Sequence, residues 1–354
     1  MKLKSIHIVL TVCILTAMSC FSGRTFAQQY QPYTQYLFNR FLLNPAACGA
    51  DGYTILGLTI KDQWTGFGDS PFNQTLTGQI RVPREGLLGR GVPWAGTGNY
   101  SPEKIGLGIS LFNDVRGPIR TTGGNFTYAY HLEDGVGQLS FGLTASFYQL
   151  SVNRDKIRTL NEDPFLEGSK LNGFVPDASF GVHYTMRNFY VGVSTTNLFQ
   201  SYLTFGGRVS SNFRMERQHL FIGGYIFDVS PEFSIVPAAQ FRLYENGINQ
   251  FDVNLMGYYF DLFWGGFSYR SGGGGTKGNA ALIFGVRYNQ YYFGYAFDYT
   301  LSDIQRYTYG SHEFMVNITI GRSERFYRYQ RRYEFQDSEQ QWRRMWTNRR
   351  GIVN

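Results

Sequence analysis

Glu313-Phe314-Met315-Val316-Asn317-Ile318-Thr319-Ile320 places apolar side chains at every even position, with Glu313, Asn317 and Thr319 among the odd ones. Successive side chains of an extended strand point to opposite faces, so this stretch has one apolar and one largely polar face. Asn279 to Tyr288 repeats the pattern, with Leu282, Phe284, Val286 and Tyr288 sharing a face. Working outward, similar segments fall at 53–60, 74–82, 104–113, 122–132, 137–150, 177–186, 188–196, 217–228, 231–242, 248–260, 262–270 and 290–299. Short alternating strands bounded by Gly, Asn or Asp and rich in Tyr and Phe predict an all-β transmembrane antiparallel barrel of about fourteen strands.

The connections support the same reading. From 122–132 onward, very short links (133–136, Arg187, Val229-Ser230, Asp261, Asn289) alternate with longer ones (151–176, 197–216, 243–247, 271–277, 300–310). Outer-membrane barrels have short periplasmic turns and longer extracellular loops, which puts both ends of a fourteen-stranded barrel on the periplasmic side. The Pro- and Gly-rich connection 83–103 is the exception, since this count makes it a long periplasmic excursion. A soluble sandwich or propeller also has short strands. Against it stand the absence of a fixed internal period and a content of only 17% charged residues beside 18% aromatic ones.

Lys2 and Lys4 precede an apolar run from Ile6 to Leu15, and Thr25-Phe26-Ala27 offers a small-residue cleavage site, so residues 1–27 read as a signal peptide. The apolar run is too short to span a bilayer as a helix. Cys13 and Cys20 fall within the signal peptide, leaving Cys48 as a single spectator thiol, buried or facing the periplasm. The formal charge of +7 is concentrated in the tail, where nine arginines of residues 322–354 stand against four carboxylates. Residues 28–321 are close to neutral.

Catalytic signals are poor, and the chain is read as a non-enzyme with neither metal nor cofactor. His131, His183, His219 and His312 are isolated in sequence, and Gly272 to Gly278 lacks the residue order of a phosphate-binding loop. No Gly-x-Ser-x-Gly elbow is present. Aromatics near strand ends, namely Tyr258-Tyr259, Trp264, Tyr288, Tyr291-Tyr292 and Tyr295, suit the girdles that anchor a barrel at the membrane interfaces.

Two regions exceed what a barrel requires. Residues 28–52 mix apolar side chains with helix stops and suit either a lumenal plug, a lining of the periplasmic mouth or an ordered lead-in to the barrel at 53–321. The tail 322–354 interleaves Arg with aromatics; Arg328, Arg331, Arg332, Trp342, Arg343, Arg344 and Trp346 are its candidate contacts to a periplasmic partner. Export argues against nucleic acid as the target.

Tyr36-Leu37-Phe38-Asn39, Asn44-Pro45-Ala46-Ala47-Cys48-Gly49, Gln63-Trp64-Thr65-Gly66-Phe67-Gly68-Asp69-Ser70-Pro71 and Gly310-Ser311-His312-Glu313-Phe314 resemble, in order and spacing, the PorP/SprF family of the type IX secretion system of Bacteroidota. Asp62 stands where that family commonly has Arg, and Ser70 where it often has Ala. The resemblance implies an outer-membrane protein in contact with lipid. It further implies a protein that assists secretion or surface attachment of a cognate cell-surface protein, such as a gliding adhesin, and works with other type IX components in the periplasm. It marks Asn39, Asn44, Pro45, Gly49, His312 and Glu313 as structural motif residues, and Gln63, Trp64, Phe67 and Pro71 as candidate client or mouth contacts in an extracellular first loop. A passive transporter of small or hydrophobic solutes is the competing reading, and the state of the lumen discriminates between them.

Overall fold

A computed structural model describes residues 33–82, 104–133, 136–153, 156, 172–205, 208–245, 247, 249–272 and 277–320. The signal peptide, the connection 83–103 and the Arg-rich tail lie outside the described residues.

The strands are β1 (Thr54–Asp62), β2 (Phe72–Arg81), β3 (Ile105–Arg116), β4 (Ile119–Glu133), β5 (Gly137–Val152), β6 (Asn172–Met186), β7 (Phe189–Thr196), β8 (Tyr202–Phe205), β9 (Arg208–Arg214), β10 (Gln218–Tyr225), β11 (Phe227–Asp228), β12 (Phe233–Tyr244), β13 (Asn249–Tyr259), β14 (Phe263–Arg270), β15 (Asn279–Tyr288), β16 (Tyr291–Thr300) and β17 (Ser311–Ile320). Fourteen of them form one closed antiparallel barrel, in which each strand pairs with its neighbours in chain order and β1 pairs with β17. β8 and β9 make a separate hairpin, and the two-residue β11 continues the line of β10 against β12. Pro237, which has no N–H to donate, falls opposite Tyr225, just past Gly224 where the β10–β12 ladder ends.

Register explains why the alternation is so regular. In β17, Ser311, Glu313, Met315, Asn317 and Thr319 are buried toward the lumen, while Phe314 and Ile320 are exposed on the outer face. Leu56 and Leu58 on β1 and Leu76 on β2 continue that apolar outer surface. A closed barrel satisfies every backbone ladder without an edge, the condition for crossing hydrocarbon with strands.

Two local expectations are corrected. The link expected between 113 and 122 is not a loop, because β3 and β4 pair through Arg116 and Ile119 and turn at Gly117-Pro118. Tyr258, Trp264 and Tyr292 are not girdle residues. Each is adjacent to an outward residue, so the two-residue period turns it into the lumen, where Trp264 is 4% exposed and Tyr258 and Tyr292 pack against its cluster.

Candidate functional site

The lumen is occupied by the chain itself. Residues 33–52 pass down the barrel in three short 3-10 turns, Tyr36–Phe38, Arg40–Leu42 and Pro45–Ala47, before β1 begins. Asn44 caps the last turn by accepting from the Ala46 N–H, and Pro45 follows it where no N–H is needed. At the long-loop end, the Tyr33 hydroxyl bonds Asn73 and Thr75 of β2. At the short-turn end, the Gly49 N–H donates to Gln79 at 2.9 Å and its carbonyl accepts from Arg81 at 3.3 Å.

A buried ionic cluster holds the start of this segment. Both oxygens of Glu313 accept backbone N–H groups, from Thr34 at 2.8 Å and Gln35 at 2.9 Å. The Thr34 hydroxyl donates to Asp298 at 2.8 Å. Lys61 Nζ closes the triangle at 2.7 Å from Asp298 and 3.2 Å from Glu313, with Lys61 3% and Glu313 0% exposed. Arg270 pairs with Asp252 at 2.7 Å and donates to the Tyr33 carbonyl at 3.3 Å. Asn254 donates to the Tyr36 hydroxyl at 2.7 Å. Hydrogen bonds with a charged partner contribute roughly 1.5–3 kcal/mol each, so this corner is the strongest grip on the segment.

Farther down, the wall is shaped to the segment. A side chain at Gly142 of β5 would strike the Pro45 carbonyl, and one at Gly181 of β6 would strike the Asn44 amide. Asn44 donates to the Val182 carbonyl at 2.9 Å, Ser194 donates to the Leu43 carbonyl at 2.6 Å, and His131 bonds the Cys48 carbonyl at 3.0 Å. Phe38 lies 4.9 Å from Trp264, ring to ring.

At the long-loop mouth, the 63–71 and 301–310 connections are locked together. Thr65 N–H donates to the Gly310 carbonyl and Tyr309 N–H to the Thr65 carbonyl, both at 2.8 Å. Trp64 N–H donates to the Ser311 hydroxyl at 3.1 Å, and Gln63 N–H to the Pro71 carbonyl at 2.9 Å. This fixed platform displays three aromatics: Phe67 at 44%, Tyr307 at 71% and Tyr309 at 81% exposure.

The model of the type IX secretion system membrane protein PorP/SprF family matches residues 25–318. This chain belongs to the PorP/SprF family. No curated protein sequence matches it. Among solved structures it is similar to CymD, a monoaromatic hydrocarbon channel, with 12% identity, TM-score 0.48 and coverage of 83% of this chain and 94% of that one. The Ralstonia pickettii toluene transporter TbuX gives 13%, 0.46, 79% and 91%. A Pseudomonas aeruginosa FadL homologue gives 10%, 0.42, 78% and 91%. Family and barrel together place the protein in the outer membrane as a type IX component.

The residues that carry the resemblance fall in three places. Asn39, Asn44, Pro45 and Gly49 are in the lumenal segment, where Asn39 donates to Thr77 at 3.0 Å. Glu313 joins them, whereas its neighbour His312 faces outward and bonds the Tyr295 hydroxyl at 2.7 Å. Gln63, Trp64 and Pro71 fold into the mouth platform and are half-buried, and only Phe67 of that set is exposed. Arg328, Arg331, Arg332, Trp342, Arg343, Arg344 and Trp346 lie outside the described residues. Sequence reasoning missed Lys61, Asp252, Arg270 and Asp298. Their signal was a charged residue within an otherwise apolar or neutral spanning strand, a position that demands a buried partner. Cys48 is fully buried in the lumenal segment.

Proposed function

We propose that this protein is a non-catalytic component of the type IX machine that assists secretion or surface anchoring of a cognate cell-surface protein, such as a gliding adhesin. In this role the barrel is a solid scaffold in the membrane and the mouth platform is the client contact. The observation that carries the proposal is the lumen filled by the chain's own residues 33–50, anchored at both ends and matched to the wall between. A solute channel needs that volume open, so the filled lumen favours the scaffold reading over the passive transporter. Exposed aromatics on a rigid base are the kind of anchor that protein interfaces use, because little conformational freedom is lost on binding.

The Arg- and Trp-rich tail, on the side where β17 ends, would meet acidic periplasmic partners of the machine. Affinity isolation from gently solubilised outer membranes tests the whole reading. Recovery of a surface protein or of other secretion components supports it, and recovery of the barrel alone together with solute conductance in bilayers rejects it.

A further inference from the structure

The strands that meet at Lys61, Asp298 and Glu313 are β1, β16 and β17, and these same strands carry both connections of the mouth platform. Lys61 is two residues before Gln63, where the first connection starts. Glu313 is two residues after Ser311, whose hydroxyl accepts the Trp64 N–H. Asp298 pairs in register with Ser311 across β16 and β17. Among the described residues, Thr34 and Gln35 enter this triangle from outside the three strands and fill the Glu313 and Asp298 oxygens with their N–H groups and the Thr34 hydroxyl, while Arg270 of β14 acts on both carboxylates through space. Thr34 also accepts from Lys61 at 3.0 Å, so one side chain bonds both the cation and a carboxylate.

We propose that the N-terminal segment sets the client-facing platform: Thr34, held by Glu313, Asp298 and Lys61, completes a brace across β1, β16 and β17 that fixes the 63–71 and 301–310 connections in one arrangement. Thr34 and Glu313 are positioning residues in this scheme, acting through the brace without touching a client. The inference rests on the reading of the platform as the client contact, but its structural content is separate from that reading and is tested without a client. Occupancy of the lumen and presentation of Phe67, Tyr307 and Tyr309 are thereby coupled. Loosening Thr34 deep in the barrel mouth loosens the aromatics displayed above it.

The test is hydrogen exchange with mass spectrometry on the full-length barrel in detergent, comparing the wild type with Thr34→Val, Thr34→Ser and Glu313→Gln. Thr34→Val keeps the shape and the backbone N–H but removes the hydroxyl from both Lys61 and Asp298. Expected is about a tenfold faster exchange in peptides covering 63–71 and 302–311, while strand peptides of β4 to β6 stay protected, because local openings are governed by the contacts that close them. Thr34→Ser restores the protection, and Glu313→Gln reproduces the loss. Unchanged exchange in both platform peptides overturns the proposal, as does a uniform rise across all strands, which would make the cluster a general fold determinant. If the exchange result holds and client capture is nonetheless insensitive to Thr34→Val, the brace stands and the client assignment of the platform fails.

Discussion

Replacing Lys61 with Met isolates the electrostatics of the lumen. Lys61 Nζ lies 2.7 Å from Asp298 and 3.2 Å from Glu313, and all three side chains are at most 4% exposed. Removing the cation leaves two carboxylates buried beside each other in a site closed to water. Breaking a buried pair from one side costs about 3–5 kcal/mol, whereas an exposed pair costs roughly 0–1 kcal/mol. Lys61→Met is therefore expected to lose about 3–5 kcal/mol in urea unfolding of the barrel in detergent micelles. Adding Asp298→Asn in the same chain removes one of the stranded charges, so the double variant is expected to recover at least about 1 kcal/mol relative to the sum of the singles. A loss below about 1 kcal/mol for Lys61→Met, or strict additivity in the cycle, would refute the account of a buried and coupled triangle.

Three further outcomes are expected. Cys48 should resist maleimide in the native barrel near neutral pH and react fully once the chain is unfolded, since it is buried; labelling of the native protein would show that the segment leaves the lumen. Gly142→Val should cost about 1–3 kcal/mol by overpacking against Pro45 and should make Cys48 reactive, both read on the same purified sample. Deleting residues 322–354 should leave the barrel inserted, as judged by its heat-dependent gel mobility, but reduce co-isolation of periplasmic secretion components; failure of insertion would tie the tail to folding instead.

The barrel was legible because lipid on one face and a polar lumen on the other impose a two-residue period on every strand, as in β15 and β17, and nothing competes with it. The same period was under-used for the aromatics. Tyr291 and Tyr292 are adjacent and must face opposite ways, so only one of them can belong to a girdle, and Tyr292 packs against the lumenal cluster. The lumenal segment was visible as a region in excess of the barrel, but its three short turns have no periodicity to read. Its seat is assembled from residues 30 positions away, as with Gly49 and Gln79, up to 279 positions away, as with Thr34 and Glu313. Gly142 and Gly181 are intelligible only once Pro45 and Asn44 are known to lie against them. In the first loop the motif marked residues 63–71 as one unit, yet sequence could not say that Trp64 is half-buried while Phe67 is exposed, nor that Tyr307 and Tyr309 join it from a connection far along the chain.

In the proposed role the filled barrel presents Phe67, Tyr307 and Tyr309 to a secreted surface protein. The most direct test of that role is affinity isolation of the tagged chain from gently solubilised outer membranes, side by side with a Phe67→Ala, Tyr309→Ala double variant, with mass spectrometry of what accompanies each. Both side chains are exposed, so the double variant should fold with its stability changed by no more than about 1 kcal/mol. Expected are a surface protein and other type IX components with the wild type, and loss of the surface protein alone with the variant. Recovery of the bare barrel in both cases, with steady single-channel conductance from the wild type in planar bilayers, would contradict the proposed role.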